Sequence, residues 1–206
     1  VTELVFDQSE TIYLPYREEP ERGETYVAAW DPARHRDYAG MLIRNSKGRV
    51  VFLNRFQKVD WSEQLYYFKE TCRRYNNAHA IIDSTGLGDV VLSALLEQGV
   101  DAEGVQMYPK EKSEMVNHLV MLMEQQPPIV SYPNNPELVG ELRDYTFTAL
   151  KSGGVRYEAP AGQHDDLVTV MLLAYKDYHK PEEVLPYLGL LVGAQRGAAL
   201  QKRRWM

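Results

Sequence analysis

Residues 25–30 (TYVAAW) form a nearly unbroken apolar run that ends at Asp31-Pro32. A strand with one wet face would alternate, so a continuous apolar run marks a strand buried on both faces. Proline has no amide with which to continue a ladder, so the strand stops with Asp31 at its C-terminal end. A strand covered above and below needs helices on both sides of its sheet, which sets an α/β architecture. Residues 79–82 (HAII) repeat the arrangement: a short buried strand that ends at an acid, Asp83, followed by Ser84-Thr85-Gly86.

The other elements arrange themselves around these two. Residues 37–44 and 49–56 read as strands joined by a turn at Asn45-Ser46-Lys47-Gly48, which makes three antiparallel strands in sequence. Residues 60–75 read as a helix: Asp60 and Glu63 resemble a capping box, and Trp61, Leu65, Phe68, Cys72 and Tyr75 share one face. An apolar helix over 90–99 follows, with Asp89 in its first turn, then a strand over 101–107. A helix over 112–125 is halted by Pro127-Pro128, and 129–132 reads as a short strand. Asn135 can cap a helix with Pro136 at its first position and Leu138, Leu142 and Tyr145 on its face. Residues 146–149 and 155–158 flank Lys151-Ser152-Gly153-Gly154 as a late hairpin. The last helix opens on Asp165-Asp166, places Leu167, Met171, Ala174, Tyr175 and Tyr178 at three- and four-residue spacing, and ends near residue 179.

This order predicts an α/β fold with a mixed sheet of five or more strands, flanked by helices and carrying an added late hairpin. A strand–helix–strand crossover brings 79–82 parallel to an earlier strand. If that neighbour is 25–30, Asp31 and Asp83 project from adjacent C-terminal strand ends, the edge at which such sheets place their sites. The last helix, packed on the same face, would bring Asp165 and Asp166 to that edge. Each acid alone has an ordinary explanation: a turn residue for Asp31, a cap for Asp83, a favourable helix start for Asp165 and Asp166. Together, three or four converging carboxylates repel one another unless cations compensate them. Hard oxygen ligands of this kind select magnesium or manganese. Two such ions, ~3.5–4 Å apart, activate water and stabilise both oxygens of a phosphodiester in line.

Charge and cysteine content narrow the classes further. The net charge of −6 argues against a protein that simply coats nucleic acid, though not against local basic patches. Candidate phosphate contacts are Arg34 and Arg36, directly after the first acid, with Lys110, Lys112 and Lys151. A single cysteine excludes an internal disulfide framework and cysteine-based zinc sites, and Cys72 on an apolar stripe reads as a small core residue. No apolar run approaches the ~18 residues that span a bilayer, so no membrane is expected as a partner. Residues 1–24 read as an arm or linker, with 1–7 and 11–14 as possible short strands and 16–23 (YREEPERG) as a loop; 25–182 read as one domain. The tail, 183–206, is apolar and Gly/Ala-rich and ends QKRRWM: a loosely ordered terminus, a docking peptide or a phosphate contact.

Three motifs in this order carry a resemblance. They are Trp30-Asp31-Pro32 with Asp37-Tyr38-Ala39, then Ile82-Asp83-Ser84-Thr85-Gly86-Leu87-Gly88-Asp89, then His164-Asp165-Asp166-Leu167. The chain resembles the nuclease domain of the large terminase subunit of tailed bacteriophages, in the ribonuclease H-like superfamily. The resemblance implies a metal-dependent endonuclease that cuts concatemeric double-stranded viral DNA during genome packaging, with two magnesium or manganese ions per site. It implies Asp31 as the first-strand acid shared by both metals, Asp83 as the fourth-strand acid and Asp166 as the acid on the last helix. Asp165 would be a neighbouring ligand or base, and Asp37 and His164 would stand behind the ligands. A whole large terminase also carries an N-terminal packaging ATPase, and no Gly-x-x-x-x-Gly-Lys-Ser/Thr loop occurs here. With the valine start, that favours an isolated nuclease domain whose partners would be DNA, the upstream ATPase domain, the portal and the small terminase subunit, in the cytoplasm of an infected bacterium. Other readings are a Holliday-junction resolvase or transposase-type core, a nucleotide-binding module using residues 83–88, or a non-catalytic docking module.

Overall fold

The computed structural model describes residues 2–4, 16–33, 38–86, 88–149 and 154–179 of the 206. Arg34, Arg36, Asp37, Lys151, the strand expected at 11–14 and the tail 183–206 lie outside the described residues. In chain order the elements are β1 (Thr2–Leu4), β2 (Tyr16–Arg17), β3 (Tyr26–Asp31), β4 (Ala39–Asn45), β5 (Val50–Phe56), α1 (Trp61–Arg74), β6 (His79–Asp83), α2 (Gly88–Glu97), β7 (Ala102–Val105), α3 (Pro109–Glu124), α4 (Pro136–Asp144), β8 (Thr146–Ala149), β9 (Val155–Glu158) and α5 (Asp166–Tyr175).

Six strands form a mixed sheet in the order β2-β5-β4-β3-β6-β7. β3, β4 and β5 are antiparallel, and β6 lies parallel to β3 with Trp30 opposite Ile82. The expected neighbours are therefore neighbours. Alternation along the strands divides the core into two layers. Ala28, Trp30, Met41, Ile43, Phe52, Ala80 and Ile82 face α1 and α2, where Phe68, Cys72, Val91 and Leu95 cover them. Ala29, Leu42, Leu53 and Ile81 face α3, α4 and α5. Asp31, Asp83 and Arg55 share parity with Ala29, Ile81 and Leu53, so all three belong to the α5 face.

α5 is the element on which that face is built. Its spacing predicts one apolar stripe, but every residue from Leu167 to Tyr175 is buried. The helix is enclosed by the sheet, α3 and α4, so no side of it needs to be polar. It ends at Tyr175, not near residue 179. The Tyr175 hydroxyl donates to Gly48 O at 2.8 Å, and the Arg44 guanidinium lies over the Tyr178 ring at 4.6 Å.

Several local expectations change. Residues 16–23 are not all loop: Tyr16 and Arg17 pair with Leu53 and Phe52 as an edge strand. Thr2–Leu4 pairs with β8, so the late hairpin is part of a separate three-stranded sheet, β1-β8-β9. Residues 129–132 make only an isolated bridge, Arg49 with Ser131, because the prolines at 127, 128 and 133 remove the amides a longer ladder needs. The Asp60 side chain makes no capping bond. The start of α1 is tied instead by Gln64, whose Nε2 donates to Val59 O at 2.8 Å and Ala33 O at 3.0 Å. The Asn135 cap forms as its sequence predicts, with Oδ1 accepting from Glu137 N and Leu138 N at 3.0 and 2.9 Å. Asn135→Ala is expected to cost about 1 kcal/mol, read as a lower denaturant midpoint at unchanged slope.

Candidate metal centre

Four adjacent strands present one row of residues to the α5 face. Arg55 on β5 lies opposite Gly40 on β4, and Gly40 lies opposite Asp31 on β3. Asp83 follows Ile82, the partner of Trp30, and so stands beside Asp31. The N-terminus of α5 rests on the middle of this row. A Cβ built on Gly40 would lie 2.7 Å from Asp166 O and 3.3 Å from Val170 Cγ1. Only glycine lets the helix approach so closely, and that approach carries Asp166 in between Arg55 and Asp31.

The electrostatics record the convergence. The Asp31 carboxyl is held well above the ordinary carboxylate range, first by burial, then by repulsion from Asp83, Asp166 and Asp165, with Lys112 opposing. Asp166 is pushed up to about 6, chiefly by burial, against the pull of Arg55 and His164. Its Oδ2 is buried without a hydrogen-bond partner; Arg55 Nη2 stands 3.5 Å away and His164 Nδ1 3.7 Å. Asp165 is the N-cap residue of α5, yet its carboxylate caps nothing and meets Lys112 Nζ at 3.1 Å. Asp83 Oδ1 accepts from Thr85 N at 2.8 Å, which fixes the carboxylate at the strand end.

These donors fit a hard divalent cation. They are all carboxylate oxygens, their mutual repulsion needs a positive charge, and one buried oxygen lacks a donor. Among the described residues, no three His, Cys, Asp or Glu side chains form a ready-made cage. Magnesium needs none, since it keeps several waters and binds through one or two carboxylates together with substrate phosphate.

The other expected residues fall in different places. His164 packs edge-on against Tyr38, with ring centroids 4.9 Å apart, beside Asp166. Lys112 belongs to the acid cluster, while Lys110 is exposed at the start of α3 with Glu114 Oε1 3.8 Å away. Arg34, Arg36, Asp37 and Lys151 lie outside the described residues. A cleft of about 870 Å³ lined by Ser84, Glu103, Val105, Tyr108, Glu111 and Met115, among others, contains none of the four acids.

Two residues of the centre escape sequence reasoning. Arg55 bridges Glu141 Oε1 at 3.3 Å and Asp166 Oδ2 at 3.5 Å, and its guanidinium lies 3.9 Å from the Tyr38 ring centroid. Glu141 is buried on α4, and burial pushes its carboxyl up to about 7. The available signal for Glu141 is a charged residue interrupting the apolar face made by Leu138, Leu142 and Tyr145.

Comparison with known proteins agrees with this fold. The sequence pattern of the family described as terminase RNaseH-like domain matches residues 28–177. The large terminase subunit of Thermus virus P23-45 is 28% identical over 155 residues, covering 74% of this chain. The chain spans about a third (32%) of the length of that relative. The crystal structure of the large terminase nuclease from thermophilic phage G20c with bound magnesium superposes with a TM-score of 0.73 at 26% identity, covering 82% of this chain and 94% of that one. The Thermus phage P74-26 large terminase nuclease domain gives 0.70 at 26% identity, covering 82% and 91%.

Proposed function

Because the chain belongs to the terminase RNaseH-like domain family, we propose that it is the metal-dependent endonuclease part of a phage large terminase, cutting concatemeric double-stranded DNA during genome packaging. The observation that supports this most is the Asp31 carboxyl at the end of a buried strand, raised first by burial and then by Asp83, Asp166 and Asp165 together. Magnesium or manganese, as a pair of ions, would be held by Asp31, Asp83 and Asp166, with Asp165 beside them. When bound, the ions supply charge neutralisation at the phosphate and activation of the attacking water.

The chain's own residues prepare that chemistry. β3 and β6 fix Asp31 and Asp83 in register, and α5 sets Asp166 on top of Gly40. Lys112 holds Asp165 toward α3, which supports Asp166 as the direct ligand of the two. His164 stands where it can orient Asp166 or a water near it. Arg34, Arg36, Lys110 and Lys151 are the proposed phosphate contacts. Phosphate contacts position a duplex without reading bases, so cutting has little sequence preference. The partners that follow are the duplex, the packaging ATPase domain of the same polypeptide, the portal and the small terminase subunit, in the cytoplasm of an infected bacterium.

Nicking of supercoiled plasmid tests the reading. With manganese or magnesium the protein is expected to yield open-circular and linear DNA, and EDTA or Asp166→Asn should stop it. Cutting that continues in EDTA, or at the wild-type rate in Asp166→Asn, removes the proposal.

A further inference from the structure

We propose that Glu141 is a positioning residue for the metal centre, acting through Arg55 and the first turn of α5 to set how Asp166 meets a divalent cation. The inference rests on the reading above for one point, that Asp166 is a ligand.

Glu141 makes two kinds of contact with its two oxygens. Oε2 accepts from Leu167 N at 2.7 Å and Val168 N at 3.2 Å. These are first-turn amides that a helix cannot satisfy internally. Asp165, the residue placed to cap them, turns to Lys112 instead. α5 is therefore capped from α4, by a side chain 26 residues before Leu167. Oε1 lies 3.3 Å from Arg55 Nη1, and the same guanidinium reaches Asp166 with Nη2 at 3.5 Å.

Arg55 is itself held. Its guanidinium stacks on Tyr38 at 3.9 Å, Tyr38 packs against His164, and His164 Nδ1 stands 3.7 Å from Asp166 Oδ2. The contacts close a ring: Glu141, Arg55, Tyr38, His164, Asp166, and back through the Leu167 amide to Glu141. The ring fixes the carboxylate in space, and it also fixes the charge beside it. When Glu141 is ionised, its charge and that of Arg55 cancel. Neutralising Glu141 leaves the whole guanidinium to Asp166, a monocation competing with a dication for one oxygen. Neutralising both restores the balance. A residue that served only packing would leave the double variant no tighter for Mn²⁺ than Glu141→Gln.

The test uses the full chain as wild type, Glu141→Gln, Arg55→Gln and the double variant, with Mn²⁺ binding by calorimetry and melting in EDTA to confirm the fold. Glu141→Gln is expected to weaken Mn²⁺ binding about ten-fold or more, with a nicking shortfall that narrows as Mn²⁺ is raised. The double variant is expected to recover most of the lost affinity. Arg55→Lys keeps the charge but cannot span both carboxylates, so it carries the test if Glu141→Gln folds poorly, and it too should bind Mn²⁺ more weakly. Wild-type affinity in Glu141→Gln, or a double variant weaker than Glu141→Gln, overturns the role. If Glu141→Gln folds poorly, wild-type affinity in Arg55→Lys does so as well. Mn²⁺ binding that follows the expected pattern in a wild-type chain that cuts no DNA supports the positioning role and removes the nuclease reading instead.

Discussion

Asp31→Asn is expected to lose divalent-dependent DNA cleavage to the limit of detection and, in EDTA at neutral pH, to melt at a higher temperature than the wild type. The two effects have one cause. Asp31 is crowded by Asp83, Asp166 and Asp165, and burial and their repulsion raise its pKa. Asparagine keeps the shape and removes the charge, so the repulsion goes and, on the proposed function, a cation would lose a ligand. The pH dependence follows from the direction of the shift. Below the unfolded-state pKa of ~3.9, residue 31 is neutral in both proteins and they should melt alike. The gap opens as pH rises and is complete above the raised folded-state pKa, because the ionised carboxylate then costs stability in the wild type alone. Each ~1 kcal/mol relieved corresponds to ~2–4 °C in a chain of this size. Manganese should reverse the order. A ligand that binds only the folded state adds ~2.7 kcal/mol at one hundred times its dissociation constant, and only the wild type can draw on that. Melting curves with EDTA and with excess Mn²⁺ would therefore cross. A variant that is less stable than wild type in both, or that still nicks plasmid, contradicts the placement of Asp31 among the acids.

What the sequence disclosed and what it withheld divide along a physical line. Asp31 and Asp83 are legible because each ends a short apolar run, and run ends are local facts. Asp166 is legible because acids at a helix start are local too. The pairing of β3 with β6 follows from the crossover rule, which needs only element order. The edge strand Tyr16–Arg17 and the pairing of Thr2–Leu4 with β8 are contacts between distant segments with almost no pattern in two or three residues. Arg55 and Glu141 are hidden differently: a lone charge on a strand or helix reads as solvated surface until its partner is known. Glu141 did leave a trace, since it interrupts the face of Leu138, Leu142 and Tyr145. Gly40 left another, because an isolated glycine inside a strand pattern signals close approach of another backbone.

Gly40→Ala is the second large effect, and it separates convergence of the acids from their mere presence. The new Cβ would lie 2.7 Å from Asp166 O and 3.2 Å from Asp166 C. Both obstacles are backbone, so no side-chain rotation clears them, and either β4 or the start of α5 must shift. The atoms displaced belong to Asp166 itself, so a single methyl acts on the position of the proposed ligand with every carboxylate intact. Overpacking of this kind costs about 1–3 kcal/mol of stability. Misplacing a reactive group by ~1 Å costs about a hundred-fold in rate, and the same order is expected for nicking. The control is Gly140→Ala on α4, where a Cβ would meet nothing within 4 Å. A helix-interior glycine replaced by alanine should gain ~0.5–1 kcal/mol and leave nicking unchanged. If Gly40→Ala nicked DNA at the wild-type rate in manganese while melting within a degree or so of wild type, α5 would not be seated on β4 as described. Asp166 would then reach Asp31 by some other path. If instead its stability fell and its activity did not, the helix would carry weight in the fold without setting the ligand. The combined loss, set against the gain in Gly140→Ala, is the outcome that ties the packing of one glycine to the chemistry of the centre.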